Sequence, residues 1–466
     1  MVNLDDAHSG LVFPDYGLRS LLSVLPGVAS SLGLAGTTTT GLSYLACQEA
    51  LHLPAATNVV VVMCDGLGYL NLEANRAYAP FLRARFSGIE ALTSTFPSTT
   101  AAALTGFGTG APPGQTCMVG YTVRVPQSGY QTKGGVGILA NLVAWTQQRD
   151  PSVIAGEKGN QGAAAFGVAP EEFQRVPASL SAMEHAGVSV LTTGPSKFAG
   201  SGLTKAAFDA GRFHADQGLG GRVDAVISFI RKPIAISDAK AAAARSTMVG
   251  AGSASGVAGA VGRVETPAKL AYLYWGDVDK AGHGDGPDSV QWTEALAHFD
   301  HELERLVRGL PPDTLVVMTA DHGQLAVSQD SQIDVAAVPE LRRGVALVGG
   351  EARMLHVYAF EPPTVPPSGS ALYHQDTGAE IAERWRDYLG DWALVWTRAE
   401  AIAAGLFGTV QPHVKPWIGD VVVACTGNTT IVDSRTQTAH SLELKGMHGS
   451  LTPVEMLVPL LVEVTP

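Results

Sequence analysis

The chain alternates short apolar runs with polar turns that contain glycine. Four runs predict strands, because each is continuous in apolar residues and too short for a helix: Val59–Met63, Val188–Thr192, Leu270–Trp275 and Leu315–Thr319. Such runs are typical of strands that are buried on both faces in a parallel sheet. The pattern therefore predicts a covered sheet with polar residues at the ends of its strands.

Helical spacing separates these runs. A short helix is predicted between Pro177 and Gly187, since proline favours the start of a helix and glycine its end. A longer one is predicted from Gln291 to Arg308, where apolar residues recur at intervals of three and four. Alternating strands and helices predict an α/β fold whose parallel sheet is covered by helices on both faces. The apolar stripe of the longer helix consists of Trp292, Leu296, Phe299, Leu303 and Leu306.

Two regions depart from this alternation. Residues 239–262 are rich in Ala, Gly and Ser, and this composition predicts a flexible excursion. Residues 345–432 show the order strand, helix, strand, helix, strand, strand, which predicts a small α+β insert. On this interpretation, residues 1–344 and 433–466 form the main core.

Charge and composition narrow the functional classes. The chain has 466 residues, of which 46% are hydrophobic and 16% charged, so it can bury a large core. Its net charge of -12 argues against a protein that grips a nucleic-acid polymer, because that task needs clustered Lys and Arg. A small anionic substrate is compatible with this charge if bound cations reverse the local field.

Cysteine usage and the first residues favour a cytoplasmic protein. The four cysteines are too few and too scattered for a disulfide framework or a thiolate metal site. The opening segment MVNLDDAHSG is acidic where a secretory signal is basic. No run of about 18 apolar residues occurs, so we predict no transmembrane helix and no membrane partner. The cysteines are Cys47, Cys64, Cys117 and Cys425.

Several aspartates and histidines lie where the predicted strands end. Ligands of α/β sheets bind beyond the carboxyl ends of the strands. Carboxylate oxygen and imidazole nitrogen, without cysteine, suit a catalytic pair of Zn²⁺ or Mn²⁺ ions. Taken singly, each group also fits an ordinary turn, and Asp277, Asp285 and Asp288 are assigned to solvated or capping positions. The candidate ligands are Asp65, Asp279, His283, Asp321, His322 and His448.

One further oxygen ligand would complete such a pair of metal sites. The segment FPSTTAAALTGFGTG supplies three hydroxyl groups, at Ser98, Thr99 and Thr100, directly before small residues that favour a tight turn into a helix. The N-terminus of a helix stabilises anions. A hydroxyl bound to a metal there would have a lowered pKa and would act as a nucleophile.

Five motifs carry these candidates between residues 65 and 449. In chain order they are CDGLG, FPSTTAAALTGFGTGAPPGQTCMVGY, DVDKAGHGDGP, TADHG and MHG. Their order resembles the alkaline phosphatase superfamily, and most of all its type I phosphodiesterase/nucleotide pyrophosphatase family. The resemblance implies an alkaline-phosphatase-like three-layer sandwich with a mostly parallel central sheet, formed by the main core and joined to the small insert.

The resemblance also implies roles for single residues. Asp65, Thr100, Asp321 and His322 would hold one divalent ion, and Asp279, His283 and His448 a second. Thr100 would be the nucleophile and form a phospho-threonine, with Thr99 and Ser98 as the alternatives. The ions would be Zn²⁺, with Mn²⁺ as the alternative. This family often has an asparagine three residues after the nucleophile. In this chain that position is occupied by Ala103.

The function implied is hydrolysis of phosphodiester or pyrophosphate bonds in a small phosphate ester, with a nucleotide among the candidates. A phosphomonoesterase or phosphonate hydrolase of the same superfamily is the first alternative. A non-catalytic relative that binds metal or nucleotide is the second, and a phosphate-transferring mutase is the third. A sulfatase is disfavoured, because no Cys or Ser stands in the CxPxR-type context that sulfatases need.

Overall fold

The computed structural model describes residues 10–126, 137–147, 164–233, 267–360 and 376–466. The excursion predicted for residues 239–262 lies outside them. None of the helices in this part of the chain is long and apolar enough to cross a membrane. The strands are β1 Asn58–Cys64, β2 Glu90–Thr93, β3 Thr122–Arg124, β4 Leu139–Asn141, β5 Thr146–Gln147, β6 Ala164–Ala165, β7 Ser189–Gly194, β8 Phe213–Ala215, β9 Lys269–Trp275, β10 Thr314–Thr319, β11 Leu325–Ala326, β12 Gln332–Asp334, β13 Val345–Glu351, β14 Met354–Ala359, β15 Ala393–Thr397, β16 Val421–Cys425, β17 Thr430–Val432, β18 Gly446–Met447 and β19 Leu457–Val464.

Most α-helices in the described ranges are short, and three of those described exceed ten residues. They are α1 Val24–Ser31, α2 Tyr44–Ala50, α3 Tyr69–Asn75, α4 Pro80–Arg85, α5 Thr100–Thr109, α6 Pro113–Thr116, α7 Pro170–Phe173, α8 Ser179–His185, α9 Gly202–Ala207, α10 Leu219–Arg231, α11 Asp277–Asp285, α12 Val290–Gly309, α13 Pro339–Arg342, α14 Gly378–Leu389, α15 Arg398–Ala403, α16 Ala439–Leu442 and α17 Pro453–Met456.

A seven-stranded sheet forms the centre of the protein, in the order β2-β19-β10-β1-β9-β7-β8. The five strands from β10 to β8 pair in parallel, and β19 runs antiparallel to its neighbours. The four strands predicted from apolar runs are β1, β7, β9 and β10. This confirms the predicted α/β fold with a mostly parallel central sheet.

The two faces of β9 show how the layers are built. Tyr272 packs its ring against Phe107 of α5, with the ring centroids 5.9 Å apart. Trp275 points to the other face, since side chains alternate along a strand, and lies against His298 of α12 and under Arg222 of α10. Helices therefore cover both faces of the sheet. The predicted helix from Gln291 to Arg308 is α12, and its five apolar residues are all buried.

A separate four-stranded antiparallel sheet has the order β13-β14-β16-β15. The helix α14 packs on it through the fully buried Trp385. The predicted order of elements holds for β14, α14, β15, α15 and β16, but β13 precedes them and was missed. The last predicted strand, β17, pairs with β12 instead of joining this sheet. Where the domain boundary lies stays a prediction.

Two buried side chains tie this small sheet to the rest of the protein. The guanidinium of Arg353 pairs with the carboxylate of Glu455 in α17 at 2.8 Å, and both side chains are fully buried. His356 of β14 donates from Nε2 to the carbonyl of Val119 at 2.8 Å and accepts at Nδ1 from the Gly419 amide at 3.1 Å. These bonds hold the small sheet against α17 and against the segment between α6 and β3.

The buried His356 predicts a loss of stability in mild acid. Burial lowers the pKa of His356 from 6.5 to about 4, so the folded ring stays neutral while the unfolded ring takes up a proton below pH 6.5. Stability at this site is therefore lost as pH falls from 6.5 towards 4. Between pH 7 and pH 5 we expect the free energy of unfolding to fall by about 2 kcal/mol on this account.

The measurement is urea unfolding at both pH values, with His356→Gln as the control. The variant has no titrating ring and should lose about 2 kcal/mol less on acidification than the unaltered chain. Equal losses in the two proteins would contradict the prediction.

Candidate active site

Three adjacent strands bring the acidic candidates to one edge of the central sheet. Asp65 follows β1, Asp279 lies in α11 directly after β9, and Asp321 follows β10. Since β10, β1 and β9 are parallel neighbours, their carboxyl ends meet at the same edge. The site lies where ligands of parallel α/β sheets usually bind.

The first ligand cluster consists of Asp65, Asp321 and His322, all of them buried. Nε2 of His322 lies 3.5 Å from Oδ1 of Asp65 and 3.4 Å from Oδ2 of Asp321. Those two carboxylate oxygens are buried and have no hydrogen-bond partner among the described residues. Buried carboxylate oxygens without donors are costly, so this arrangement fits a bound cation.

The second ligand cluster consists of Asp279, His283 and His448. Oδ1 of Asp279 lies 3.4 Å from Nε2 of His283 and 3.9 Å from Nε2 of His448. Asp279 and His283 are one helical turn apart on α11, so their side chains lie on the same face of the helix. His448 follows β18 and stacks its ring on His322 of the first cluster, with centroids 3.6 Å apart. The two clusters are therefore immediate neighbours.

The orientation of the histidine rings tests whether a cation fits the second cluster. Nδ1 of His283 lies 2.7 Å from the Gly446 carbonyl, and Nδ1 of His448 lies 2.9 Å from the Ser98 carbonyl. Because a carbonyl only accepts, both Nδ1 atoms carry the proton in the neutral rings, which leaves a lone pair on each Nε2. The two Nε2 atoms face each other at 3.2 Å. Two facing lone pairs repel each other, and a cation bound to both relieves that repulsion.

The pKa shifts of the candidate ligands also fit sites for bound cations. Burial raises the pKa of Asp65 well above its ordinary value, and the nearby Asp321 and Asp279 raise it further. Burial also raises the pKa of Asp321. Burial lowers the pKa of His448 well below its ordinary value, and His322 and His283 add to this effect. Burial thus disfavours charge of either sign on these side chains, and bound cations would invert this balance for the carboxylates.

Thr100 is the first residue of α5, and its hydroxyl lies 3.2 Å from Nε2 of His322. The other two hydroxyls of the motif lie elsewhere. Ser98 donates to the Ser450 carbonyl at 2.7 Å and accepts from the Gly449 amide at 3.2 Å. Thr99 is buried, and its hydroxyl lies beside the carboxylate of Glu351. Of the three hydroxyls, that of Thr100 is the one in contact with a predicted ligand.

All seven site residues predicted from the sequence therefore come together at one edge of the sheet. Asp277, predicted to be solvated, is exposed and lines a cavity beside the clusters. Asp288, also predicted to be solvated or capping, accepts a hydrogen bond from Asn75. The buried Ala103 replaces the polar residue of the family pattern and offers no hydrogen-bonding group in its side chain.

Three residues that hold the candidate ligands were missed in the sequence. Tyr274 donates its hydroxyl to Oδ2 of Asp65. Gln324 donates from Nε2 to Oδ1 of Asp279 at 2.6 Å. Glu351, at the end of β13, lies 3.5 Å from Nδ1 of His448. Gln324 stands two residues after His322 and could have been suspected, whereas Tyr274 stands five residues before Asp279 within an apolar run and no local pattern marks Glu351.

Two glycines of the motifs are required by close packing around Asp279. Gly66 has a φ of 75°, and a Cβ there would lie 2.8 Å from Cα of Asp279. A Cβ on Gly282 would lie 1.5 Å from Oε1 of Gln324. Any side chain at Gly282 would therefore displace the amide that orients Asp279. The glycines between the acidic residues thus serve the packing of the site.

Comparisons with solved structures support the fold. The murine ectonucleotide pyrophosphatase/phosphodiesterase 5 is 13% identical, with a TM-score of 0.54 over 86% of this chain and 87% of that chain. An inactive variant of that protein was solved in complex with AMP. The phosphonoacetate hydrolase of Sinorhizobium meliloti 1021, solved with phosphonoformate, is 18% identical, with a TM-score of 0.52 over 92% of each chain. At these identities the likeness establishes the fold.

A family comparison covers most of the sequence and includes every candidate residue. The model of the family described as type I phosphodiesterase/nucleotide pyrophosphatase matches residues 59–451. That range begins in β1, before Asp65, and ends after His448. The chain therefore belongs to the type I phosphodiesterase/nucleotide pyrophosphatase family, a divalent-metal-dependent family of hydrolases that act on phosphoesters.

Proposed function

We propose that the chain is a two-metal phosphoesterase that hydrolyses phosphodiester or pyrophosphate bonds through a phospho-threonine at Thr100. The observation that carries this proposal is the meeting of two ligand clusters beside one hydroxyl. Thr100 Oγ1 lies 3.2 Å from His322 in the first cluster, and the His322 ring stacks on His448 in the second. This arrangement is what a two-metal phosphoryl transfer requires.

Each cluster would hold one divalent cation. Asp65, Asp321 and His322, together with the Thr100 hydroxyl, would hold the first, and Asp279, His283 and His448 the second. When bound, the two cations lower the pKa of the attacking hydroxyl and neutralise charge on the phosphoryl and leaving oxygens. We propose Zn²⁺ for both positions, with Mn²⁺ as the alternative, because the ligands are nitrogen and oxygen only.

The residues of the chain position the reaction. Thr100 Oγ1 attacks phosphorus, so that a bond from Oγ1 to phosphorus forms while the bond to the leaving oxygen breaks. The phosphoryl group then lies at the N-terminus of α5, where the unpaired amides and the helix dipole stabilise its negative charge. Water hydrolyses the phospho-threonine and restores the hydroxyl of Thr100.

A phosphonate hydrolase or a phosphomonoesterase is the second candidate. The side chain of Ala103 offers no polar group for the phosphoryl oxygens, so the nucleotide preference of the family does not carry over to this chain. Rates on a bis-aryl phosphate, a mono-aryl phosphate and phosphonoacetate separate the candidates. We expect the bis-aryl phosphate to react fastest, and a faster mono-aryl phosphate or phosphonate would favour the second candidate.

Replacing the nucleophile should abolish turnover and leave the metal sites in place. We expect Thr100→Ala to lower kcat by at least about a thousandfold, because no other hydroxyl of the motif reaches the clusters. Metal analysis should still find two ions in each chain. The matched control is Thr100→Ser, which keeps a hydroxyl at the same place and should retain measurable turnover.

The intermediate itself provides a second readout. Acid quenching of the unaltered chain during turnover should trap one phosphoryl group on the peptide that contains Thr100, detected by mass spectrometry. Hydrolysis at an unchanged rate by Thr100→Ala would place the nucleophile elsewhere and overturn this part of the proposal.

Removing a buried ligand should stabilise the protein without metal. In Asp321, Oδ1 accepts from the amides of Gly66 and His322 at 3.2 and 3.1 Å, while Oδ2 has no hydrogen-bond donor within the described parts of the chain. An asparagine at position 321 keeps the oxygen that accepts from these two amides. It replaces the other oxygen by an NH2 group, which lies beside Asp65. We expect Asp321→Asn to raise the free energy of unfolding of the metal-free protein by about 1 to 3 kcal/mol.

The same variant should lose the stabilisation that Zn²⁺ gives the unaltered chain, because a ligand that binds the folded state raises Tm only when its site is intact. Thermal unfolding with and without Zn²⁺ measures both effects. The matched control is Asp300→Asn, since Asp300 accepts from the amides of Phe81 and Leu82 with its two oxygens. Asp300→Asn should be less stable than the unaltered chain, but Zn²⁺ should raise its Tm by the same amount. A metal-free Asp321→Asn that is less stable than the metal-free unaltered chain would contradict the prediction.

A further inference from the structure

A cavity of about 380 Å³ opens beside Thr100 and both ligand clusters. Its wall includes Thr100 and Asp65 on one side and the segment from β7 to α9 on the other. Whatever group is attached to a phosphorus atom at Thr100 would meet this cavity first. The composition of its wall therefore indicates which groups it accepts.

Much of the wall is apolar and aromatic. The apolar lining comes from Leu104, Phe198, Leu203, Phe208 and Phe213. Tyr272 also lines the cavity, and its ring is held by Phe208 at a centroid distance of 4.6 Å. These side chains suit the hydrocarbon or aromatic body of an organic group.

Tyr272, a residue of the cavity wall, has a hydroxyl that is unsatisfied among the described residues. It is buried and has no hydrogen-bond partner among the described residues. Burial raises the pKa of Tyr272 well above its ordinary value, so the hydroxyl keeps its proton and is a donor at neutral pH. A buried donor without an acceptor is costly, and an oxygen of a bound group would satisfy it.

The charged residues of the wall, outside the two ligand clusters, carry an excess of positive charge. Lys197 and Lys280 are exposed and line the cavity, and neither has an ion-pair partner in the described parts of the chain. Asp277 is the opposing acid, and the buried Arg222 offsets its charge. Arg222 itself is fixed by donation to three carbonyls, including that of Tyr274 at 2.8 Å. Two cationic side chains therefore remain for a ligand.

We propose that this cavity binds the organic group attached to the reacting phosphorus and selects groups that carry a second acid. The body of the group packs on the aromatic wall, and its carboxylate or phosphate pairs with Lys197 and Lys280. This inference rests on the proposed function, since the cavity is assigned to the substrate that Thr100 attacks. It names the substrate class as organic phosphates with an additional anionic substituent.

Binding of two inert phosphonates to the zinc-loaded protein tests the inference. Benzylphosphonate and 4-carboxybenzylphosphonate share the phosphonate and the ring and differ in the second acid. Isothermal calorimetry should show tighter binding of the carboxylated compound by about twenty-five-fold, because two exposed ion pairs contribute about fivefold each. The double variant Lys197→Met/Lys280→Met should lose this preference and bind the two compounds with equal affinity.

Lys205→Met is the matched control, because Lys205 is exposed on α9 but does not line the cavity, and it should keep the full preference. Equal binding of the two compounds by the unaltered chain, or a preference that survives in the double variant, would overturn the inference. If the protein hydrolyses no phosphate ester but still prefers the carboxylated compound through the two lysines, the proposed function is overturned. The cavity would then still be a binding site for organic groups with a second acid.

Discussion

The concentration of buried charge at one edge of the central sheet is the constraint on which the site depends. Asp65 and Asp321 are buried side by side, and each has an acceptor oxygen that no donor of the described residues reaches. Two imidazole lone pairs face each other next to them. Like groups at such distances in a poorly solvated place repel each other strongly. Divalent cations, bound as we propose, would convert each of these conflicts into a bond. The fold thus holds an arrangement that is unfavourable alone and favourable with metal.

The surrounding structure keeps this arrangement from relaxing. Parallel strands fix the carboxylates, and the hydroxyl of Tyr274 and the amide of Gln324 hold Asp65 and Asp279 in place. The small antiparallel sheet contributes Glu351, which lies beside His448, and is anchored to the core by the buried pair of Arg353 and Glu455. A site held by two sheets is preorganised, and preorganised polar groups are what electrostatic catalysis requires.

The sequence predicts the central part of this structure well for a physical reason. Strands buried on both faces must be continuous in apolar residues, so β1, β7, β9 and β10 are visible as short runs, and the ligands follow directly after them. The strand β13 was missed, because the two glycines in VALVGGE weaken its strand pattern. The pairing of β17 with β12 depends on contacts between segments far apart in the chain, which periodicity does not encode.

The candidate site likewise contains residues that short motifs mark and residues that only tertiary packing brings in. The seven predicted residues were found because each lies in a short motif at a strand end or a turn. Glu351 and Lys197 stand in no motif, and they reach the site through tertiary packing. Tyr272 belongs to the apolar run of β9, and nothing in that run marks it as a residue of the cavity wall.

Anomalous diffraction from crystals grown with Zn²⁺ tests the central claim most directly. The account predicts two zinc peaks about 3.5 to 4 Å apart. One should be bonded to Asp65, Asp321, His322 and the Thr100 hydroxyl, and the other to Asp279, His283 and His448. A single peak, or peaks bonded to other residues, would contradict the account.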